Sequence, residues 1–306
     1  MSGVHGVWAI TSYFNPVGYK RRLSNYRIFR ANLAVPLVTV ELSFDGRFEL
    51  NREDADVLVQ ISGGAVLWQK ERLLNIAIRS VPQNVKNIAW LDCDVIFERT
   101  DWMHEAAQKL NEANAVQLYS DIVDLKPDSC QSNAQRCGLL PTGHGIVSLG
   151  LTQLTAPTSE DVRLSLPGLA WAARRGLLEE HGFYDGMIIG SGDTSIFHAM
   201  YGQFERELQR RRLSRAHQEH YLKWAWPYLR SVGGKVSNVT GRIYHLWHGE
   251  IANRQYLHRH DLLARIEFDP DIDIRIGANG AWEWARPRPN LEDLLRKYFI
   301  GRAEDE

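Results

Sequence analysis

Between residues 7 and 119, short apolar, β-branched runs alternate with segments of helical period. That alternation limits the fold more than any other feature of the chain. Residues 7–11, 36–42, 57–61, 88–91 and 115–119 read as strands. The fourth, Ile88-Ala89-Trp90-Leu91, is apolar on both faces, as the centre of a covered parallel sheet must be. Residues 19–32 and 102–114 read as helices. A third is marked by Leu67, Leu74, Ala77, Ile78 and Val81 recurring at helical spacing, with Pro82 as its stop. This rhythm predicts an α/β open sheet with right-handed crossovers and helices on its faces.

The second half is less regular. Residues 121–167 are rich in Gly and Pro, and so long a connection is expected to cover a site or to carry short strands. Residues 168–173 read as a late strand of small residues, followed by a helix ending near His181-Gly182. Residues 195–201 and 204–226 read as helices, with Pro227 breaking the second. The tail is mixed. It predicts a helical and irregular extension, residues 251–306, beside a main unit of residues 1–250 whose halves divide near residue 120.

With 306 residues, the chain is long enough for a core of full size. Its 36 Lys and Arg nearly cancel 37 Asp and Glu, so no basic excess points to nucleic acid or to an anionic membrane. The start has no signal-peptide pattern, and no run approaches the ~18 apolar residues that cross a bilayer. Cys93, Cys130 and Cys137 lack zinc spacing and cannot form a complete disulfide framework. A soluble cytoplasmic protein without permanent membrane insertion is expected, with the Asn238-Val239-Thr240 sequon unused.

Three motifs carry chemistry. In Trp90-Leu91-Asp92-Cys93-Asp94-Val95 an apolar strand ends in two carboxylates. Ligands of open α/β sheets bind at such strand ends. Like charges this close call for a cation, and Mn or Mg suits oxygen ligands. A bare Asp-x-Asp can also be a polar strand end that meets an Arg. In Tyr244-His245-Leu246-Trp247-His248-Gly249 an extended chain would point the two imidazoles to opposite faces, so one of them is expected to reach a given ion. His258 and His260 read as solvated or structural. In Gly190-Ser191-Gly192-Asp193-Thr194 two glycines permit close backbone approach, and Asp193 is placed either as a helix cap or as a general base. The ten Trp and eleven Tyr could stack on sugar rings, although most such rings are core. The basic run at Arg210, Arg211, Arg212 and Arg215 reads as a solvated helix face.

The order of these motifs resembles that of glycosyltransferases of the GT-A fold, the family-two-like enzymes, over residues 5–250. The later pair of motifs is similar to the C-terminal region of galactosyltransferases. There a Gly-rich stretch ends in Glu-Asp, and because Ser191-Gly192 stand here instead, only Asp193 carries over. The resemblance implies an open mixed sheet with a Rossmann-like nucleotide half. It implies a nucleotide-sugar donor held by Thr11, Ser12, Tyr13, Glu41, Lys70, Asn75, Asp92 and Gly192. Asp92 would face the donor and, with Asp94, hold Mn or Mg, and His245 or His248 would complete the coordination, His245 being favoured. Asp193 would be the base of an inverting transfer, although a retaining outcome would remove that role. UDP is the expected nucleotide and GDP the alternative. The acceptor is a saccharide or another hydroxyl; nucleic acid is not indicated, but a modified base is not excluded. Two rivals remain: a carbohydrate- or nucleotide-binding protein on the same fold, and a phosphohydrolase of the haloacid dehalogenase type. The latter is opposed by the late position of the Asp-x-Asp and by Phe197 four residues after Asp193.

Overall fold

The computed structural model describes residues 6–127, 140–150, 165–256 and 258–306. The chain alternates β1 (Val7–Phe14), α1 (Lys20–Ala31), β2 (Leu37–Ser43), β3 (Val57–Ser62), α2 (Lys70–Ser80) and β4 (Asn87–Leu91). There follow β5 (Val95–Phe97), α3 (Trp102–Lys109), β6 (Ala115–Gln117), β7 (Asp121–Asp124), β8 (Gly143–Gly145), β9 (Ser165–Leu166) and β10 (Ala170–Arg174). The remainder holds α4 (Arg175–His181), α5 (Gly192–Met200), α6 (Phe204–Arg211), α7 (Arg215–Val232), β11 (Val236–Asn238) and β12 (Arg242–His245). Last come α8 (Asp261–Arg265), α9 (Pro270–Asp273), a hairpin of β13 (Ile274–Ile276) and β14 (Trp282–Trp284), and α10 (Pro289–Gly301).

The fold is α/β. A seven-stranded mixed sheet runs in the order β11-β6-β10-β4-β1-β2-β3. β1 pairs in parallel with β2 and β4, and β10 enters antiparallel between β4 and β6. Both faces of the central strands are buried, one through Ile10, Val38, Val40, Ile88 and Trp90, the other through Ala9, Leu37, Ala89, Leu91 and Ala172. Helix α2 lies across β1 and β2 through Leu73, Leu74, Ala77 and Ile78. A second sheet, β5-β12-β7-β8-β9, begins where the chain leaves β4. The small strands β7, β8 and β9 occupy part of the long Gly- and Pro-rich connection. Cys130 and Cys137 lie outside the described residues.

Several boundaries differ from those the sequence predicts. Helix α3 ends at Lys109, not at 114, because Leu110 to Ala113 close it with tight turns. The stretch 204–226 is two helices: Arg212 turns left-handed (φ 49°), and Ser214 restarts the helix by accepting a hydrogen bond from the His217 amide at 3.2 Å. Pro227 then lies inside α7 without breaking it. The bond it forfeits is to the carbonyl of exposed Lys223, while Tyr221, Ala225, Tyr228 and Val232 hold the opposite face in the core. In the tail the helix α10 buries Leu291, Leu295, Tyr298 and Phe299. The tail also returns to the start of α1. The Asp305 carboxylate accepts from the Lys20 and Arg21 amides at 3.0 and 2.8 Å, a cap supplied from the far end of the chain. Among the described residues no helix is long and apolar enough to cross a membrane.

Candidate functional site

Strand pairing builds the site. β5 starts directly after Asp94 and runs antiparallel to β12, which sets Val95 opposite His245. The Leu246 amide donates to the Asp94 carbonyl at 2.8 Å, which holds the two chain segments together. β7 lies on the other side of β12, with Asp124 opposite His245. β12 ends at His245, so the two-residue alternation of an extended chain stops there. The turn through Leu246-Trp247 brings His248 back beside His245, and both imidazoles reach one point, contrary to the opposite-face expectation.

Asp94, His245 and His248 form a trio whose ligand atoms lie within 4.8 Å of one another. Asp94 Oδ2 is 3.1 Å from His248 Nε2 and 3.8 Å from His245 Nε2, and the two Nε2 atoms are 3.2 Å apart. Asp94 Oδ1 is buried without a hydrogen-bond partner. His245 Nδ1 donates to Asp124 Oδ1 at 2.8 Å, and Asp124 also accepts from Thr142 Oγ1 at 2.9 Å. That second contact fixes the ring so that a neutral His245 turns its Nε2 lone pair inward. Burial pushes His248 down to about 4, which keeps it the neutral base a metal ligand must be. Burial opposes ionisation of Asp94, yet His248, His245 and Arg254 around it hold its carboxyl below the usual carboxylate range. A carboxylate and two imidazoles converging on one point, with an orphaned carboxylate oxygen among them, fit a divalent cation. The two nitrogens favour Mn over Mg.

Asp92 is not in this trio. The chain turns at 92–94 instead of continuing extended, and Asp92 Oδ1 lies 2.5 Å from Lys70 Nζ. The same ammonium bonds Asp193 Oδ1 at 3.1 Å and Oδ2 at 2.8 Å. Lys70 opens α2, where the helix dipole disfavours a cation, and the two carboxylates offset that. Burial weakens its charge, but Asp193 and Asp92 raise it well above the ordinary lysine value. Burial pushes Asp92 up to about 6 against the pull of Lys70. Asp193 sits inside the first turn of α5 and makes no cap; Ser191 holds the N-cap position in a left-handed conformation (φ 85°). Gly192 lets α5 close on α2, because a Cβ there would lie 2.1 Å from Glu71 Oε1. Glu71, which the sequence reading left out of the site, is buried beside this group with Oε1 unpartnered. Burial pushes it up to about 8.

Thr11, Tyr13, Glu41 and Asn75, which the resemblance also placed at a donor, have structural partners. Thr11 Oγ1 donates to the Leu91 carbonyl at 2.7 Å and ties β1 to β4. Tyr13 OH donates to Glu49 Oε2 at 2.7 Å. Glu41 is buried; its Oε1 accepts from the amides of Glu49 and Leu50 at 2.6 and 3.2 Å, and its Oε2 from Gln60 at 2.8 Å. These bonds hold the loop of residues 44–51 against β2. Ser12 stays half-buried on β1. Asn75 is taken up elsewhere: it clasps the backbone of Phe183 and bonds Asp185 at 3.0 Å, lining a cavity of ≈ 300 Å³ to which no residue of the trio contributes. The sequence reading also missed Asp124 and Arg254, which no local pattern singles out.

No protein-family profile matches the chain, and no curated protein matches it. Among solved structures it is similar to S. aureus TarS in complex with UDP-GlcNAc. That match has 13% identity and a TM-score of 0.42, covering 96% of this chain and 72% of that one. It is similar to a mutant of Drosophila beta-1,4-galactosyltransferase 7 in complex with manganese, UDP-Gal and xylobiose, with 11% identity and a TM-score of 0.40, over 94% of this chain and 98% of that one. A third is the mannosyltransferase PcManGT of Pyrobaculum calidifontis in complex with GDP-Man and Mn2+, with 15% identity and a TM-score of 0.35, over 74% and 73%. At these identities and scores the likeness is one of general fold, and what the site does must be argued from its own side chains.

Proposed function

We propose that this chain is a metal-dependent glycosyltransferase that moves a sugar from a nucleotide diphosphate, UDP in our reading, to an acceptor hydroxyl with inversion. The observation that carries the proposal is the convergence of Asp94, His245 and His248 beside the carboxyl end of β4. A divalent cation bound there, best Mn, supplies positive charge at the diphosphate leaving group.

The chain's own residues supply the rest. The nucleoside lies over the carboxyl end of β1, at Ser12 and the loop that Glu41 supports. Asp193 accepts the acceptor's hydroxyl proton as that oxygen bonds the anomeric carbon; the carbon–oxygen bond to the diphosphate breaks, and the diphosphate leaves with the electron pair. Lys70 holds both Asp193 oxygens and fixes the carboxylate in place. Its second partner, Asp92, gives the ammonium a place to keep its charge compensated while Asp193 takes the proton.

Thermal-shift and transfer assays with UDP- and GDP-sugars, with and without Mn, test the proposal. A nucleotide shift that needs Mn and is lost in Asp94→Ala is expected. Asp193→Asn should retain that shift while kcat falls by roughly 10²–10⁴. The anomeric configuration of the product, read by NMR, decides inversion. Nucleotide binding indifferent to both Mn and Asp94 would leave only the binding-protein alternative.

A further inference from the structure

Arg254 ends a short turn, Ile251–Arg254, and is largely buried. Its Nη2 lies 3.0 Å from His248 Nε2, and its Nη1 donates to Tyr256 OH at 3.1 Å. Its Nε is buried without a partner. A guanidinium only donates, so His248 Nε2 accepts from it. That atom is also the one His248 turns toward Asp94 Oδ2 and His245 Nε2. The guanidinium and a divalent cation therefore claim the same lone pair, and two cations so close repel strongly.

We propose that Arg254 is a resident counter-cation of the metal trio, and that its transfer from His248 to the diphosphate of the donor couples metal binding to nucleotide binding. This rests on the metal-site reading above. Three features support a moving guanidinium: the one-point hold on His248, the unpartnered Nε, and the left-handed residue that follows, Gln255 (φ 49°). A diphosphate offers Arg254 paired anionic oxygens, which suit its planar fork better than a single ring nitrogen does. With the guanidinium drawn to the phosphates, His248 Nε2 is released for the ion. By linkage each ligand then strengthens the other by one common factor.

The test is Mn2+ binding to the full chain, followed by the EPR signal of free ion, with and without saturating UDP. Wild type is expected to bind Mn2+ about tenfold more tightly with UDP. Arg254→Met should bind Mn2+ about tenfold more tightly than wild type without UDP and lose most of the UDP enhancement. Arg254→Lys, which keeps charge but cannot bridge His248 and Tyr256, should fall between, and it carries the test should the Met variant not fold. An unchanged or weaker Mn2+ affinity in folded Arg254 variants, or a UDP enhancement that survives them, overturns the proposal while leaving the metal site standing. If wild type binds no Mn2+, or Asp94→Ala binds it as well as wild type does, the metal-site reading falls and this inference with it.

Discussion

Single residues here act through what surrounds them. Asp124 is not a member of the trio, yet its bond to His245 Nδ1 decides which nitrogen of that ring faces it. Asp124→Ala should weaken Mn2+ binding roughly 10–100-fold with little change in melting temperature, as titration and thermal unfolding would report. An unchanged affinity would mean that His245 orients itself. Glu71 makes a second prediction. Its carboxyl sits near 4.5 in an unfolded chain and is pushed to about 8 by burial in the fold. A raised carboxyl contributes stability in its protonated form below pH 4.5, and that contribution drains away as pH rises toward 8. Glu71→Gln has no proton to lose, so its melting temperature relative to wild type should climb between pH 5 and about 8. Parallel melting curves across that range would show that Glu71 finds a partner for its charge.

At the level of elements, α2 and α5 bring the two halves of the Lys70–Asp193 pair together from positions 123 residues apart. Their approach depends on Gly192, where a Cβ would meet the Glu71 carboxyl group within 2.3 Å. Glu71 is buried, so any shift to make room must displace its packed neighbours. Gly192→Ala should therefore cost about 1–3 kcal/mol in urea unfolding, as overpacking does. A change within ~0.5 kcal/mol would show that the helices have slack. Much of this layer is legible in the sequence. The strands read at 7, 36, 57 and 88 and the helix stopped by Pro82 follow from apolar period alone, because each needs only a buried face. The split of α6 from α7 and the survival of Pro227 inside α7 do not. Both depend on which face of a helix the core takes up.

Across the whole molecule, the tail clasps the opening of the chain and stands next to the metal trio. Glu304, 1% exposed, is paired with Arg22 and Arg302, each at 2.5 Å, and Gly249, next after His248, has no room for a Cβ against the backbone of residues 302–304. Glu304→Gln would leave the buried Arg302 and the half-buried Arg22 without their shared anion. It should cost about 3–5 kcal/mol in denaturant unfolding. A loss under ~1 kcal/mol would mean the arginines are hydrated. What the sequence determined by itself was the α/β class and the placing of Asp92 and Asp94 at the end of a central strand, since both are consequences of local hydrophobic period. Tertiary structure alone decided that Asp94 joins His245 and His248 while Asp92 turns to Lys70 and Asp193. That division is set by the β5–β12–β7 register and by a turn at 92–94, and non-local pairing leaves no periodic trace in the chain.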